Sequence, residues 1–168
     1  MQDDVLVGTI PTLHPTYEIS FDYKPTAFMN NWSNLFQLTT AGSDVTSFSW
    51  TAGDRIQAVF LQNDGSGRLH VATDQNGNPN TIHLSLTSLT LNEWNNIHIR
   101  RFSTGSTYTY EISLNGNVYS SETGVTDDTT FSNVNVYAKN PSTWDPTPEG
   151  SMRNLQIQTP YSGKFFFN

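Results

Sequence analysis

The stretch Tyr108-Thr109-Tyr110-Glu111-Ile112-Ser113-Leu114-Asn115-Gly116-Asn117-Val118-Tyr119-Ser120-Ser121 decides how this chain is read. Tyr108, Tyr110, Ile112 and Leu114 alternate with Thr109, Glu111 and Ser113. That period of two puts apolar side chains on one face of a strand and polar ones on the other. Asn115-Gly116 follows at once. A type I′ turn needs positive φ at both central positions, and Asn-Gly tolerates this best. The segment therefore predicts two antiparallel strands, Tyr108–Leu114 and Asn117–Ser121, joined by a tight hairpin.

The same alternation extends outward in both directions. Tyr17, Ile19, Phe21 and Tyr23 oppose Glu18, Ser20 and Asp22; Ile97 and Ile99 alternate with Asn96, His98 and Arg100; Val134 and Val136 alternate with Asn133 and Asn135. Half-apolar runs of this kind suit antiparallel strands with one buried face. No window of helical length carries a 3.6-residue period. Asn63-Asp64-Gly65-Ser66-Gly67 divides Ile56–Gln62 from Arg68–Thr73, and further turn chemistry falls at 74–80, 90–93, 103–106, 124–130 and 140–150. About ten short strands with such spacing imply an all-β, two-sheet antiparallel jelly-roll sandwich. With no internal repeat or linker, and with Pro141–Pro148 read as one long loop, residues 1–168 are expected to form a single domain.

Charge and composition exclude several functions. Lys+Arg number 8 against 15 Asp+Glu, for a net charge of −7. Such a surface repels phosphate backbones and anionic lipid, so neither nucleic acid nor membrane is an expected partner. The longest greasy stretch, Phe165-Phe166-Phe167, is far short of the roughly 20 residues that insertion requires. Absence of cysteine removes thiol catalysis and thiolate metal sites. A charged fraction of only 14%, abundant Ser, Thr and Asn, and the sequon Asn31-Trp32-Ser33 point to a secreted, extracellular protein.

Catalytic signatures are sparse. His14, His70, His83 and His98 lack metal-ligand spacing and read as strand or surface residues. No Gly-x-Ser-x-Gly elbow occurs. A glycosidase needs paired carboxylates, but none of Glu18, Glu93, Glu111, Glu122 and Glu149 has a carboxylate two residues away on its strand face. Glu18 and Asp22 share the polar face of one strand, with no aromatic residue flanking them. The chain is expected not to be an enzyme, with glycoside hydrolysis as the alternative.

Strict antiparallel order sorts the loops to two ends. Loops 40–54, 74–80, 103–106 and 122–131 share one end, which collects Asp44, Asp54, Asp74, Asn76, Asn78, Asp127 and Asp128. Calcium takes six to eight oxygen ligands of this kind from several loops. Loops 25–32, 62–67, 87–93, 115–117 and 139–150 share the other end. There Asn140, Trp144, Asp145 and Glu149 make a rival site, in which Trp144 either stacks on a sugar or plugs the sandwich. Trp94, opening an alternating strand, is expected in the core. Trp50 either lines the first site or covers the sheet.

Tyr17–Pro25, Gly53-Asp54-Arg55-Ile56, Trp94–Ile99, Leu114-Asn115-Gly116 and Gly150-Ser151-Met152-Arg153-Asn154-Leu155 together resemble the laminin-G-like group of concanavalin-type jelly rolls. The stretches GDRIQAVF, RLHVATDQNGNPN, LNEWNNIHI, YEISLNG, FSNVNVYAKNP and GSMRNLQI are more narrowly similar to the farnesoic acid O-methyltransferase-like domain. Its members include a sea-anemone lectin that uses calcium to hold terminal galactose. The methyltransferase name is not inherited, because the only Gly-rich turn, Gly65-Ser66-Gly67, joins two strands rather than opening a helix. The resemblance implies a calcium-dependent lectin for galactose-bearing glycans. Asp54 would be the first metal ligand, joined by Asp74, Asn76, Asp127 and Asp128, with Asn78 and Trp50 on the sugar. The alternatives are that Asp54 merely caps a turn, and that the whole is a protein-interaction module with a structural calcium. The Phe-rich tail and the avidity a lectin gains from two sites suggest a homodimer.

Overall fold

A computed structural model describes residues 6–40, 55–75, 78–138, 148–160 and 163–167. These form twelve strands: β1 (Leu6–Leu13), β2 (Tyr17–Pro25), β3 (Ser33–Thr39), β4 (Gln57–Leu61), β5 (Arg68–Gln75), β6 (Asn78–Ser88), β7 (Asn95–Ser103), β8 (Tyr108–Leu114), β9 (Asn117–Val125), β10 (Phe131–Tyr137), β11 (Gly150–Thr159) and β12 (Gly163–Phe167). One sheet runs β1-β10-β3-β4-β5-β6 and the other β12-β11-β2-β7-β8-β9. All pairings within both sheets are antiparallel. The all-β jelly-roll sandwich expected from the alternation is the observed fold. The outer strands β1 and β12 are additions to that expectation. Gly8 and Pro11 interrupt the alternation in β1, and β12 follows the chain's last turn as a five-residue edge.

The alternating residues meet between the sheets. Tyr17, Ile19, Phe21, Ile97, Ile99, Tyr110, Ile112 and Ile157 from the β2 sheet pack against Ile10, Leu35, Phe36, Leu38, Val59, Val71, Val134 and Val136 from the β1 sheet. Each such side chain contributes about 1.5–3 kcal/mol by leaving water. A bulge in β3 between Asn34 and Phe36 lets the consecutive Leu35 and Phe36 both enter this core. A polar pair is buried with them: the Tyr110 hydroxyl donates to Gln57 Oε1, while Gln57 Nε2 donates to the Ala72 carbonyl at 3.2 Å.

The hairpin around Asn115-Gly116 forms as read, with φ of 51° and 79° at those two residues. At the far edge the sheets are tied by His83 of β6, whose Nδ1 lies 2.9 Å from Ser120 Oγ of β9. The tail divides by the same alternation. Phe165 and Phe167 pack against the core, whereas Phe166 points outward and is 64% exposed.

Candidate functional site

Among the described residues, the antiparallel strand order agrees with the assignment of turns to two ends. At the first end, Asp74 is the penultimate residue of β5 and is buried, Asp127 is half-buried and Asp128 is exposed. Burial pushes the Tyr17 phenol up; Arg101 opposes this shift, and Asp127 and Asp74 add to it. Two of the expected ligands therefore act on a single phenol. Asn78 is exposed at the start of β6, opposite Gln75. Asp54, Asn76 and Trp50 lie outside the described residues.

The described residues do not by themselves fit calcium. Among them, no group of three or more His, Asp or Glu side chains is arranged to hold a metal. Asp127 Oδ1 accepts from the Thr129 amide at 2.9 Å and from its hydroxyl, which is the turn-capping role of an Asx residue. Arg101, only 4% exposed, already brings positive charge to the same phenol. At the opposite end, the Glu149 side chain is exposed and its carbonyl accepts from Thr26 N and the Tyr23 hydroxyl, both at 3.0 Å. Asn140, Trp144 and Asp145 lie outside the described residues.

A better-formed constellation lies on the outer face of the β2 sheet, where sequence reasoning placed Glu18 and Asp22 but missed Asn96, Arg153 and Asn154 as their neighbours. The polar phase of each strand is brought into rows by the register. One row reads Lys164, Gln158, Glu18, Arg100, Glu111; the next reads Phe166, Gln156, Ser20, His98, Ser113. A third begins Arg153, Asp22, Asn96. A shallow groove of about 60 Å³ is lined by Glu18, Ser20, His98, Gln156, Gln158 and Lys164.

The third row is cross-linked through Asp22. Its Oδ1 accepts from Asn96 Nδ2 at 3.0 Å, and its Oδ2 accepts from Asn154 Nδ2 at 2.8 Å and Arg153 Nε at 3.2 Å. Neighbours in a strand normally face opposite ways. Here a register shift between Arg153 and Gln156, with Asn154 at φ 57°, delivers both Arg153 and Asn154 to one carboxylate. Asparagine is the residue that best tolerates that left-handed backbone after glycine. Burial alone would raise the Asp22 carboxyl, but the bonds from Asn96, Asn154 and Arg153 outweigh it and hold the group below its ordinary value.

Trp94 completes the group. It is 38% exposed, and the Arg153 guanidinium carbon lies 3.9 Å over its ring. This corrects the expectation of a core Trp94. Inward phase in β7 belongs to Ile97, Ile99 and, one step earlier, to Asn95, so Trp94 takes the outward phase. Asn95 is the buried residue, and its side chain accepts from Thr90 N at 2.8 Å and donates to the Thr90 and Glu93 carbonyls at 2.9 Å. The absence of an aromatic neighbour for Asp22 is corrected with it, since Arg153 links the carboxylate to the indole. The signal was present in Trp94-Asn95-Asn96, where counting phase backward from Ile97 turns the indole outward.

The opposite outer face, on the β1 sheet, carries a packed aromatic cluster. Trp32 lies 4.7 Å from His70 and 6.3 Å from Phe60, and the Arg55 guanidinium lies 5.2 Å from the Phe60 ring centre. Burial, aided by Arg55, lowers His70 to about 4, so the ring is neutral at physiological pH.

No family model matches the chain, and no curated protein does. Solved structures do match. The native heptameric SAP-like pentraxin of Limulus polyphemus is 15% identical with a TM-score of 0.58, over 89% of this chain and 66% of its own. CBM40 of the Ruminococcus gnavus IT-sialidase, bound to α2,3 sialyllactose, is 11% identical with a TM-score of 0.56, over 86% of this chain and 76% of its own. The alginate lyase of Klebsiella pneumoniae is 10% identical with a TM-score of 0.50, over 88% of this chain and 60% of its own. These are likenesses of fold. They extend across binding proteins and an enzyme, so function has to be argued from the site. None of these matches bears on the narrower resemblance to the farnesoic acid O-methyltransferase-like domain, which is a resemblance of sequence motifs alone.

Proposed function

We propose that the chain is a non-enzymatic glycan-binding domain that uses the outer face of β11, β2 and β7. The observation that carries this reading is the Trp94–Arg153–Asp22–Asn154 constellation. An exposed indole can lie against the apolar C–H face of a pyranose, while fixed amide and guanidinium groups beside it bond the hydroxyls. Asn96, Arg153 and Asn154 are held in place through Asp22 before any ligand arrives. That reduces the entropy lost on binding. The likeness of fold to a sialidase's carbohydrate-binding module is in keeping with the reading.

Binding is favoured over hydrolysis by the state of the carboxylates. A general acid needs a raised pKa. Asp22 is instead held low by three donors. Galactose is the proposed terminal sugar and the extracellular space the proposed setting, both from the sequence resemblance and composition. A homodimer would present two such faces at once and gain avidity.

A calcium-bridged galactose site at the opposite end of the strands is the second reading, drawn from the sequence resemblance that assigns Asp54, Asp74 and Asp127 to it. Calorimetric titration with methyl β-galactoside, first with calcium and then with excess EDTA, separates the two. Heat that persists in EDTA and disappears in Trp94→Ala supports the indole face. Heat that disappears in EDTA but survives Trp94→Ala supports the calcium end. If methyl β-galactoside gives no heat in either buffer, galactose is the wrong sugar; a glycan array on which no glycan binds would overturn the glycan reading itself.

A further inference from the structure

Arg153 and Asn154 face two places at once. Besides meeting Asp22, they line a cleft of about 380 Å³ whose other walls are Val7, Ala138, Met152, Leu155 and Phe167. The cleft opens where β1, the edge strand of one sheet, and its neighbour β10 stand beside β11 and β12 of the other. Pockets that hold small ligands run from roughly 300 to 1,000 Å³, so this one is of useful size. Its walls are apolar apart from Arg153 and Asn154, and the bulge that turns those two toward Asp22 makes them the shared border of cleft and sugar face.

We propose that the ligand is an amphiphilic glycoside, with its sugar on the Trp94–Asp22 face and its apolar aglycone in this cleft. The inference rests on the glycan reading and extends it by naming the class of glycan. Three observations favour an alkyl aglycone as occupant: the apolar walls, the volume, and continuity with the sugar face through Arg153. The guanidinium spans the junction. Its Nε is committed to Asp22 while its plane covers Trp94, which leaves the Nη groups available to the glycosidic and ring oxygens. Each methylene taken from water should tighten binding roughly fourfold. An octyl glycoside should thus bind at least about tenfold more tightly than its methyl counterpart, even when only part of the chain is buried.

The test is NMR of methyl-labelled Met152 and the Trp94 indole, titrated in parallel with methyl β-galactoside and with octyl β-galactoside below its micelle concentration. The expected result is that both glycosides shift Trp94, only the octyl compound shifts Met152, and Ala138→Phe abolishes the Met152 response while preserving that of Trp94 to the methyl glycoside. If Ala138→Phe does not fold, Val7→Glu, in a half-buried wall position, should lower octyl affinity to the methyl level. An octyl glycoside that shifts Trp94 and leaves Met152 unmoved overturns the proposal while the glycan reading stands. A Met152 shift without any Trp94 shift also overturns it, because the cleft would then take alkyl chains independently of a sugar site. If neither probe moves with either glycoside, the proposal and its choice of sugar fail together.

Discussion

The Arg153 guanidinium carbon stands 3.9 Å over the ring of Trp94, bringing β11 to the residue that leads into β7, two strands separated in the sheet by β2. The cation is steered there by Asp22, which holds Nε at 3.2 Å. One face of the indole is thereby covered, and the remaining exposed surface is available for a ligand.

Trp94→Ala should reduce glycan affinity at least about tenfold and change folding stability by less than about 1 kcal/mol. An exposed aromatic contributes little to the core but dominates a stacking site. Calorimetric titration alongside urea denaturation reads both quantities. Equal affinities in the two proteins would remove Trp94 from the site.

Stability should fall as pH drops from about 6.5 toward 4. The folded protein holds His70 at about 4, below the ordinary 6.5, so the unfolded chain takes up the proton first. The contribution is complete above 6.5, declines through the window and is gone below 4. A shift of this size is worth about 3 kcal/mol for a fully desolvated ring, and partial solvent contact lowers it to roughly 1–2 kcal/mol. His83 is lowered by burial, partly offset by Glu122, and acts in the same direction. Urea midpoints across this window should flatten in His70→Gln; an unchanged slope would assign the effect elsewhere.

Gly150→Ala should cost more than about 2 kcal/mol, which for a chain of this size is a melting decrease of roughly 5–10 °C. Gly150 has φ +157°, and an added Cβ would stand 2.5 Å from both the Lys24 carbonyl oxygen and the Tyr23 hydroxyl. The backbone oxygen cannot swing away as a flexible side chain would. Thermal unfolding followed by circular dichroism is the check, and a wild-type melting point would show that β2 and β11 can separate there without penalty.

Tyr110→Phe should destabilise by about 1–3 kcal/mol, because Gln57 Oε1, with Gln57 fully buried, would lose its hydroxyl donor. Pairing it with Gln57→Leu should recover part of the loss, since the Gln57 oxygen is removed together with its hydroxyl donor. Chemical denaturation of the single and double variants measures the coupling. Strict additivity would mean the two side chains act independently.

Much of the fold was legible because its signal is local. A period of two needs only a few neighbouring residues to be read, and Asn115-Gly116 states its own turn. The outer strands β1 and β12 were not legible. Gly8 and Pro11 interrupt the pattern of β1, and β12 declares itself only by pairing with β11. The site was harder still. The acidic loops were singled out by composition, but the described members Asp74, Asp127 and Asp128 come with a buried arginine and a turn-capping bond rather than a ring of free carboxylates.

By itself the sequence determined that this is an antiparallel sandwich, which faces of its strands are buried, and which loops share an end. Each of these follows from residue periodicity and turn stereochemistry, which act over a few bonds. Only the tertiary structure decided that Asp22, Asn96, Arg153 and Asn154 form one network beside Trp94. That depends on the register of three strands and on a bulge that turns two consecutive residues to the same side. Register is set by the packing of the whole inner face and by partners more than a hundred residues apart, so no local window of sequence contains it.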